Sequence, residues 1–250
     1  MAGHSHAKNV MHQKAGSDAK KAKLFNKLAR EIMVASKLGA PDPAGNPRLR
    51  AAIAEARVNN LPRERIERAI KSGQPGGDDK GNYEAVRYEG YGPGGCALIV
   101  EALTENRNRT ASELRTAFSK NGGTMGEMNS VSFMFDRLAE IIYPAAKASP
   151  DTMLEAVIEA GGDNVESDET QHSVTTNVDD FGAVRDALEA KFGEPSSAKL
   201  TWKPKTITTV SGDNAQQLAK LLDVLDDNDD VQTVLGNYDI PEADLEKLAS

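Results

Sequence analysis

Between residues 138 and 203 the hydrophobic pattern and turn signals spell strand, helix, strand, strand, helix, strand. Ile141–Tyr143 reads as a strand. Ser149 caps and Pro150 opens a helix to Ala160. Val165–Asp168 and Ser173–Asn177 read as two strands, residues 180–191 as a helix, and Ala198–Trp202 as the last strand. This is the ferredoxin-like order. A unit that closes on itself in mid-chain constrains everything outside it. Residues 83–136 hold a hairpin (Tyr83–Tyr91 and Cys96–Leu103), a helix to about Lys120 opened by the capping box Thr110-Ala111-Ser112-Glu113, and an alternating strand at Val131, Phe133 and Phe135. Alone, that half-sheet would leave an edge bare and one face thinly covered. Residues 206–237 supply the missing half, with a strand at Thr206–Val210, a helix over 213–226 and a strand over 231–237. The expected fold class is therefore α+β, a three-helix basic N-terminal domain followed by two ferredoxin-like α/β domains, one inserted in the other. The middle domain comprises 77–137 and 204–250, and a ferredoxin-like domain of 138–203 is inserted in it.

The N-terminal part has a different period. Phe25, Leu28, Ile32, Ala35 and Leu38 recur at steps of three and four, as on a helix that Gly39 and Pro41 end. Asn46 caps a second helix with Pro47 at its first position and Leu49, Ile53 and Ala56 as its buried stripe. A third helix runs to about Lys71, with Ile66, Ala69 and Ile70 inward and Gly73 closing it. Residues 1–76 are thus expected to form a three-helix domain preceded by a basic arm.

Charge divides the chain at the same place. Residues 1–72 hold 15 Lys and Arg against 6 Asp and Glu, a net +9, whereas residues 73–250 hold 15 against 32, a net −17. The total of −8 hides a basic module suited to a polyanion, joined to acidic modules that are not. An anionic membrane surface fits less well, because the basic helices lack an apolar face rich in Trp and Phe. No apolar run approaches the roughly 18 residues that span a bilayer. Residues 1–27 are polar and basic, with no apolar stretch of a secretory signal. The expected location is the cytoplasm.

Few residues suit catalysis. Gly90-Tyr91-Gly92-Pro93-Gly94-Gly95 matches G-x-G-x-x-G, but a strand follows it where a dinucleotide site needs a helix, so it reads as a tight turn. His4, His6 and His12 have neither Cys nor carboxylate close by in sequence, and His172 stands apart. The single Cys96 lies in an apolar run and reads as a small buried hydrophobe. The acidic run Asp226-Asp227-Asn228-Asp229-Asp230 lacks the spacing of a calcium loop and reads as a solvated turn. No catalytic residue, metal site or cofactor is expected.

Two polar segments remain open. Thr104-Glu105-Asn106-Arg107-Asn108-Arg109-Thr110 stands at a strand-to-helix junction. It offers either guanidinium groups to phosphate or helix capping with an ion pair to Glu105. The glycine-rich stretch 122–130 is either a functional loop or a wide turn.

The chain resembles the YebC/PmpR family, which includes the mitochondrial translational activators of cytochrome c oxidase subunit I. The resemblance rests on Met1-Ala2-Gly3-His4-Ser5, Asp18-Ala19-Lys20, Lys27-Leu28-Ala29-Arg30-Glu31-Ile32, Asp42-Pro43 and Asn46-Pro47-Arg48-Leu49-Arg50. It continues through Ile66-Glu67-Arg68-Ala69-Ile70-Lys71, Tyr88-Glu89-Gly90-Tyr91-Gly92-Pro93-Gly94-Gly95, Asn106-Arg107-Asn108-Arg109-Thr110 and Ser130-Val131-Ser132-Phe133-Met134-Phe135. It implies a helical N-terminal domain and two α/β domains, one inserted in the other. It also implies a non-enzymatic regulator of gene expression, described in the family as a DNA-binding transcriptional regulator or as a ribosome-associated translation factor that eases difficult sequences such as proline runs. Where the family pattern carries Lys-Trp and His-Arg-Lys in the arm, this chain has His6-Ala7 and His12-Gln13-Lys14, and Asn129 replaces the family's usual glycine.

The residues expected to contact nucleic acid are Lys8, Lys14, Lys20, Lys21, Lys23, Lys27 and Arg30, with Arg48, Arg50, Arg57, Arg63, Arg65 and Arg68 as a second basic face and Arg107 and Arg109 beyond it. Pairing of some of these with Glu55, Glu64 and Glu67 is also expected. Contacts of this kind give affinity and register but little base choice, which suits structured RNA better than sharp sequence readout. The partner is thus DNA or structured RNA, including the ribosome, and a monomer is favoured.

Overall fold

The computed structural model describes residues 18–77 and 81–249. They fall into two compact units, one of residues 18–27, 81–136 and 204–249, the other of residues 28–77 and 137–203. Lys8, Lys14 and the three arm histidines lie outside the described residues.

Three helices come first: α1 (Asp18–Leu38), α2 (Pro47–Val58) and α3 (Arg63–Ser72). Leu28, Ile32, Ala35, Leu49, Ile53, Ala56, Ile66 and Ala69 are buried, as the periodicity requires, while Leu38, the last residue of its helix, is 67% exposed. Asn46 caps α2 through Oδ1, which accepts the Leu49 N–H at 3.1 Å. Its Nδ2 donates to the Ala35 and Ala40 carbonyls at 2.8 and 2.7 Å, satisfying orphan groups at the end of α1. Ser36 Oγ donates to the Ile70 carbonyl at 2.9 Å. Gly73 permits this approach, because a Cβ there would lie 2.2 Å from the Met33 carbonyl oxygen.

The chain continues with β1 (Glu84–Tyr91), β2 (Ala97–Thr104), α4 (Arg107–Lys120) and β3 (Thr124–Met125). Next come β4 (Phe135–Pro144), α5 (Pro150–Ala160), β5 (Asn164–Ser167), β6 (Gln171–Thr176), α6 (Phe181–Phe192) and β7 (Ser197–Pro204). The last stretch holds β8 (Thr208–Thr209), α7 (Gly212–Asp227), β9 (Val231–Gly236), β10 (Tyr238–Asp239) and α8 (Glu242–Ala249). Strands β4 to β7 form one sheet in the order β5-β6-β4-β7, the ferredoxin-like arrangement. Ile141, Tyr143, Met153, Val157, Val174, Val184 and Leu188 pack between that sheet and helices α5 and α6.

The sequence on either side of this insertion builds a second four-stranded sheet, β3-β1-β2-β9, whose identified neighbours are all antiparallel. Counted along the chain, its strands lie in the order third-first-second-fourth, against second-third-first-fourth in the inserted sheet. Helices α4 and α7 share one core with it: Leu98 and Val100 meet Leu114, Phe118, Leu218, Leu221 and Leu225.

Three local expectations need correction. Val131, Phe133 and Phe135 do not form a strand of the half-sheet. Ser132–Met134 is a 3-10 turn, Phe133 is 66% exposed, and β3 supplies the third strand. The reason is that the Glu89 carboxylate takes the N–H groups of Val131 and Ser132, both at 2.9 Å, which a ladder would need. Thr206–Val210 shrinks to the two residues of β8, paired in parallel with β10. Finally, α4 starts three residues before the predicted capping box. Asn106 Oδ1 accepts the Arg109 N–H at 3.1 Å and caps the helix.

Candidate nucleic-acid interface

Lys20, Lys23 and Lys27 follow at steps of three and four on α1, so they share one face of the helix. That face is occupied. Lys20 Nζ lies 3.5 Å from Asp223 Oδ1, and Lys23 Nζ lies 2.9 Å from Asp227 Oδ1. Lys23 and Lys27 also donate to the Asp227 and Asp226 carbonyl oxygens at 3.4 and 2.6 Å. Burial lowers the Lys27 ammonium from its ordinary value, against the raising pull of Asp226, Asp227 and Asp229. Lys21 points elsewhere, over the Phe25 ring at 5.7 Å. The acidic run is therefore more than a solvated turn: part of it receives lysines, and Asp230 is buried.

On the second basic face the guanidinium groups differ in their commitments. Arg48 makes a two-pronged pair with Glu31, at 2.7 and 3.2 Å. Arg57 lies 3.5 Å from Glu194, and Arg63 pairs with Glu67 at 2.7 Å one turn along α3. Glu55 pairs with Lys199 rather than with an arginine of the basic face. These pairs are exposed, and each contributes about 0–1 kcal/mol, little enough for a phosphate to displace. Arg30 and Arg65 are half-buried. Arg50 and Arg68 make no ion pair with any described residue, and Arg68 is exposed.

Arg107 and Arg109 answer the open question at the start of α4. Arg109 Nη2 donates to Asp230 Oδ2 at 2.7 Å, and Thr110 Oγ1 reaches the same oxygen at 2.7 Å. Thr104 Oγ1 is 3.3 Å from that oxygen and 2.8 Å from Thr110 Oγ1. Asn106 Nα donates to Thr104 at 2.9 Å. The capping reading holds, with Asp230 in place of Glu105 as the ion-pair partner. Arg107 is exposed and lies 3.7 Å from Glu84.

The glycine-rich stretch is held from beneath. Glu89 is 1% exposed and accepts from the Val131 and Ser132 N–H groups, while Arg87 Nε approaches it at 2.9 Å. Burial pushes the Glu89 carboxyl up, but the N–H groups of Val131, Ser132 and Asn129 together with Arg87 outweigh it, and the carboxyl titrates below its ordinary value. Arg87 Nη2 also donates to Asn129 Oδ1 at 3.0 Å, and Tyr91 Oη donates to the Ser130 carbonyl at 3.1 Å. Asn129 sits at φ 69°, a left-handed conformation that asparagine tolerates and glycine adopts freely. That is why asparagine can stand where the family's usual residue is glycine. The loop presents Met128 and Phe133 to solvent.

The remaining chemistry-bearing residues are occupied structurally. Gly90 to Gly95 make the β1–β2 turn, with Gly94 and Gly95 at positive φ. Cys96 is buried and its thiol is pushed up to about 11 by that burial. His172 Nδ1 lies 2.7 Å from Ser167 Oγ, while Nε2 faces the Ala145 and Ala148 carbonyls at 3.3 and 3.1 Å. The ring is thus oriented by backbone rather than by a carboxylate. Among the described residues no group of three His, Cys, Asp or Glu is placed to hold a metal, and no helix is long and apolar enough to cross a membrane.

Sequence reasoning missed Glu89 and Asp230 as buried carboxylates. The available signal was their company: Glu89 alternates with Arg87 and Tyr91 along β1, and Asp230 precedes an apolar strand.

The chain is similar to known proteins along most of its length. Residues 5–76 match the model of the TACO1/YebC protein N-terminal domain, and residues 83–238 match that of the TACO1/YebC second and third domain. A crystal structure of a conserved hypothetical protein from Aquifex aeolicus is 44% identical, with a TM-score of 0.79 over 91% of this chain and 94% of that one.

Proposed function

For this chain, which belongs to the TACO1/YebC family, we propose the role of a non-enzymatic, nucleic-acid-binding regulator of gene expression in the cytoplasm. The family model over residues 83–238 carries a transcriptional-regulator label, which supports a regulatory role. The observation that carries nucleic-acid contact is the state of the basic helices. In a protein of net charge −8, Arg50 and Arg68 stand without an ion-pair partner among the described residues, and the ion pairs of Arg48, Arg57 and Arg63 are exposed. Lys20, Lys21, Lys23 and Lys27 on one unit, and Arg30, Arg48, Arg57, Arg63 and Arg65 on the other, are the further groups by which phosphates are held. Arg107 adds an exposed cation on the unit that carries those four lysines, whereas Arg109 serves α4.

The transcriptional-regulator label is compatible with duplex DNA as the target. A second reading, ribosomal or other structured RNA, is favoured by one feature of the helices. The three helices carry a single aromatic ring, Phe25, and Lys21 lies over it at 5.7 Å, which leaves little to stack on a base. Such a surface reads backbone shape rather than base edges.

Sedimentation of a cell lysate through sucrose at low and high salt separates the two targets. Co-migration with ribosomal particles at low salt, lost at high salt, is the expected result for the RNA reading. Residence at the top of the gradient at both salts, together with footprints on promoter DNA, would instead establish the DNA reading. Absence of both would refute nucleic-acid regulation altogether.

A further inference from the structure

We propose that the acidic end of α7 is a tethered competitor for phosphate, which holds the Lys20–Lys23–Lys27 face in an occupied state until nucleic acid displaces it. The inference rests on the functional reading above and concerns the regulation of the same surface. Asp226 and Asp227 follow Asp223 by three and four residues, so the C-terminal end of α7 presents a cluster of anions on one face. All three lysines of the α1 face end on the last five residues of α7, at 2.6 to 3.5 Å from a carboxylate or carbonyl oxygen. The anions stand at the wrong end of their helix. A helix C-terminus is the negative pole of the dipole and favours cations, yet α7 ends on Asp226 and Asp227, one turn after Asp223, with no basic residue in its last turn. Its terminal carbonyls also need donors, and Lys23 and Lys27 supply them. The arrangement is one that the helix does not favour by itself. It does what a nucleic-acid backbone does, offering closely spaced anions to a row of cations.

A surface whose competent state is only partly populated binds with an affinity reduced by that fraction. With roughly one molecule in ten open, apparent affinity falls about tenfold. The occupied state also suppresses weak binding to stray polyanions, since only a ligand that offers several phosphates at once competes with three tethered groups.

The test measures binding of a fluorescent RNA hairpin, and of a DNA duplex of equal length, to the full-length protein at about 50 mM salt. The variant Asp223→Asn, Asp226→Asn, Asp227→Asn is compared with the control Asp151→Asn, Glu155→Gln, Asp163→Asn. The control residues are exposed and carry the same change in net charge. The expected result is about tenfold tighter binding by the α7 variant and less than about threefold by the control. Adding Lys20→Ala and Lys23→Ala to the α7 variant should remove the gain. Equal effects of the two triple variants, or a gain that survives loss of the lysines, would overturn the competitor. Measurable binding by the wild type would then leave the functional reading intact. Failure of every form to bind either probe would instead overturn the functional reading, and the competitor with it.

Discussion

Glu89→Ala lowers the stability of the middle sheet by about 3–5 kcal/mol, the range for removing one partner of a buried ion pair. The carboxylate is 1% exposed and serves two backbone N–H groups at 2.9 Å and the Arg87 guanidinium. Removing it orphans the Val131 and Ser132 donors and leaves Arg87 beside the sheet without its counter-charge. Gly126 Nα donates to the Glu89 carbonyl at 2.8 Å, so the loop stays attached by backbone even as its far end is released. Glu89→Gln keeps an acceptor and should cost less. Its pH dependence follows from the lowered carboxyl. A carboxyl whose folded value lies below the unfolded one contributes fully above the unfolded value, about 4.3, and loses that contribution as pH falls through the folded value. The gap between wild type and Glu89→Gln in urea unfolding should therefore be constant at neutral pH and narrow only at acid pH, below about 4. A gap that stays flat into acid would deny the carboxylate its role.

Asp230→Ala is expected to cost about 2–4 kcal/mol, because one carboxylate oxygen serves Arg109 and Thr110 at 2.7 Å and lies 3.3 Å from Thr104. Asp230→Asn should cost less, since an oxygen remains for Thr110. A double-mutant cycle with Arg109→Ala should show coupling of about 0.5–3 kcal/mol. Additive effects on unfolding would mean that the pair is incidental and would return Arg109 to the set of phosphate contacts.

Much of the architecture was legible because periodicity carries it. Helical steps, Asn46 before Pro47, Ser149 before Pro150 and the alternating runs of the inserted domain each rest on local physics, and the structure follows them. The pairing of β9 with β2 also followed from an elementary argument, that a half-sheet needs its second half. The failures all involve partners distant in sequence. Val131 to Phe135 alternate as a strand does, but their donors are claimed by Glu89, 42 residues away. Thr110 to Glu113 read as a capping box, but Thr110 faces a carboxylate 120 residues on. Likewise the acidic run read as solvent-facing until Lys23 and Lys27 were found against it. A charge count identifies a basic module, yet it does not say which cations are already engaged.

Central to this account is that a protein of net charge −8 binds nucleic acid through phosphates on its basic helices. The most direct measurement is the salt dependence of that binding, for wild type and for Arg50→Glu, Arg68→Glu. Wild type should bind an RNA hairpin with an affinity that falls steeply between about 50 and 200 mM salt. The double variant, read beside its circular dichroism to establish that the helices remain, should bind at least about tenfold more weakly, with a salt slope shallower by about two. Binding that ignores salt, or a double variant that matches wild type in affinity and slope, would contradict the account.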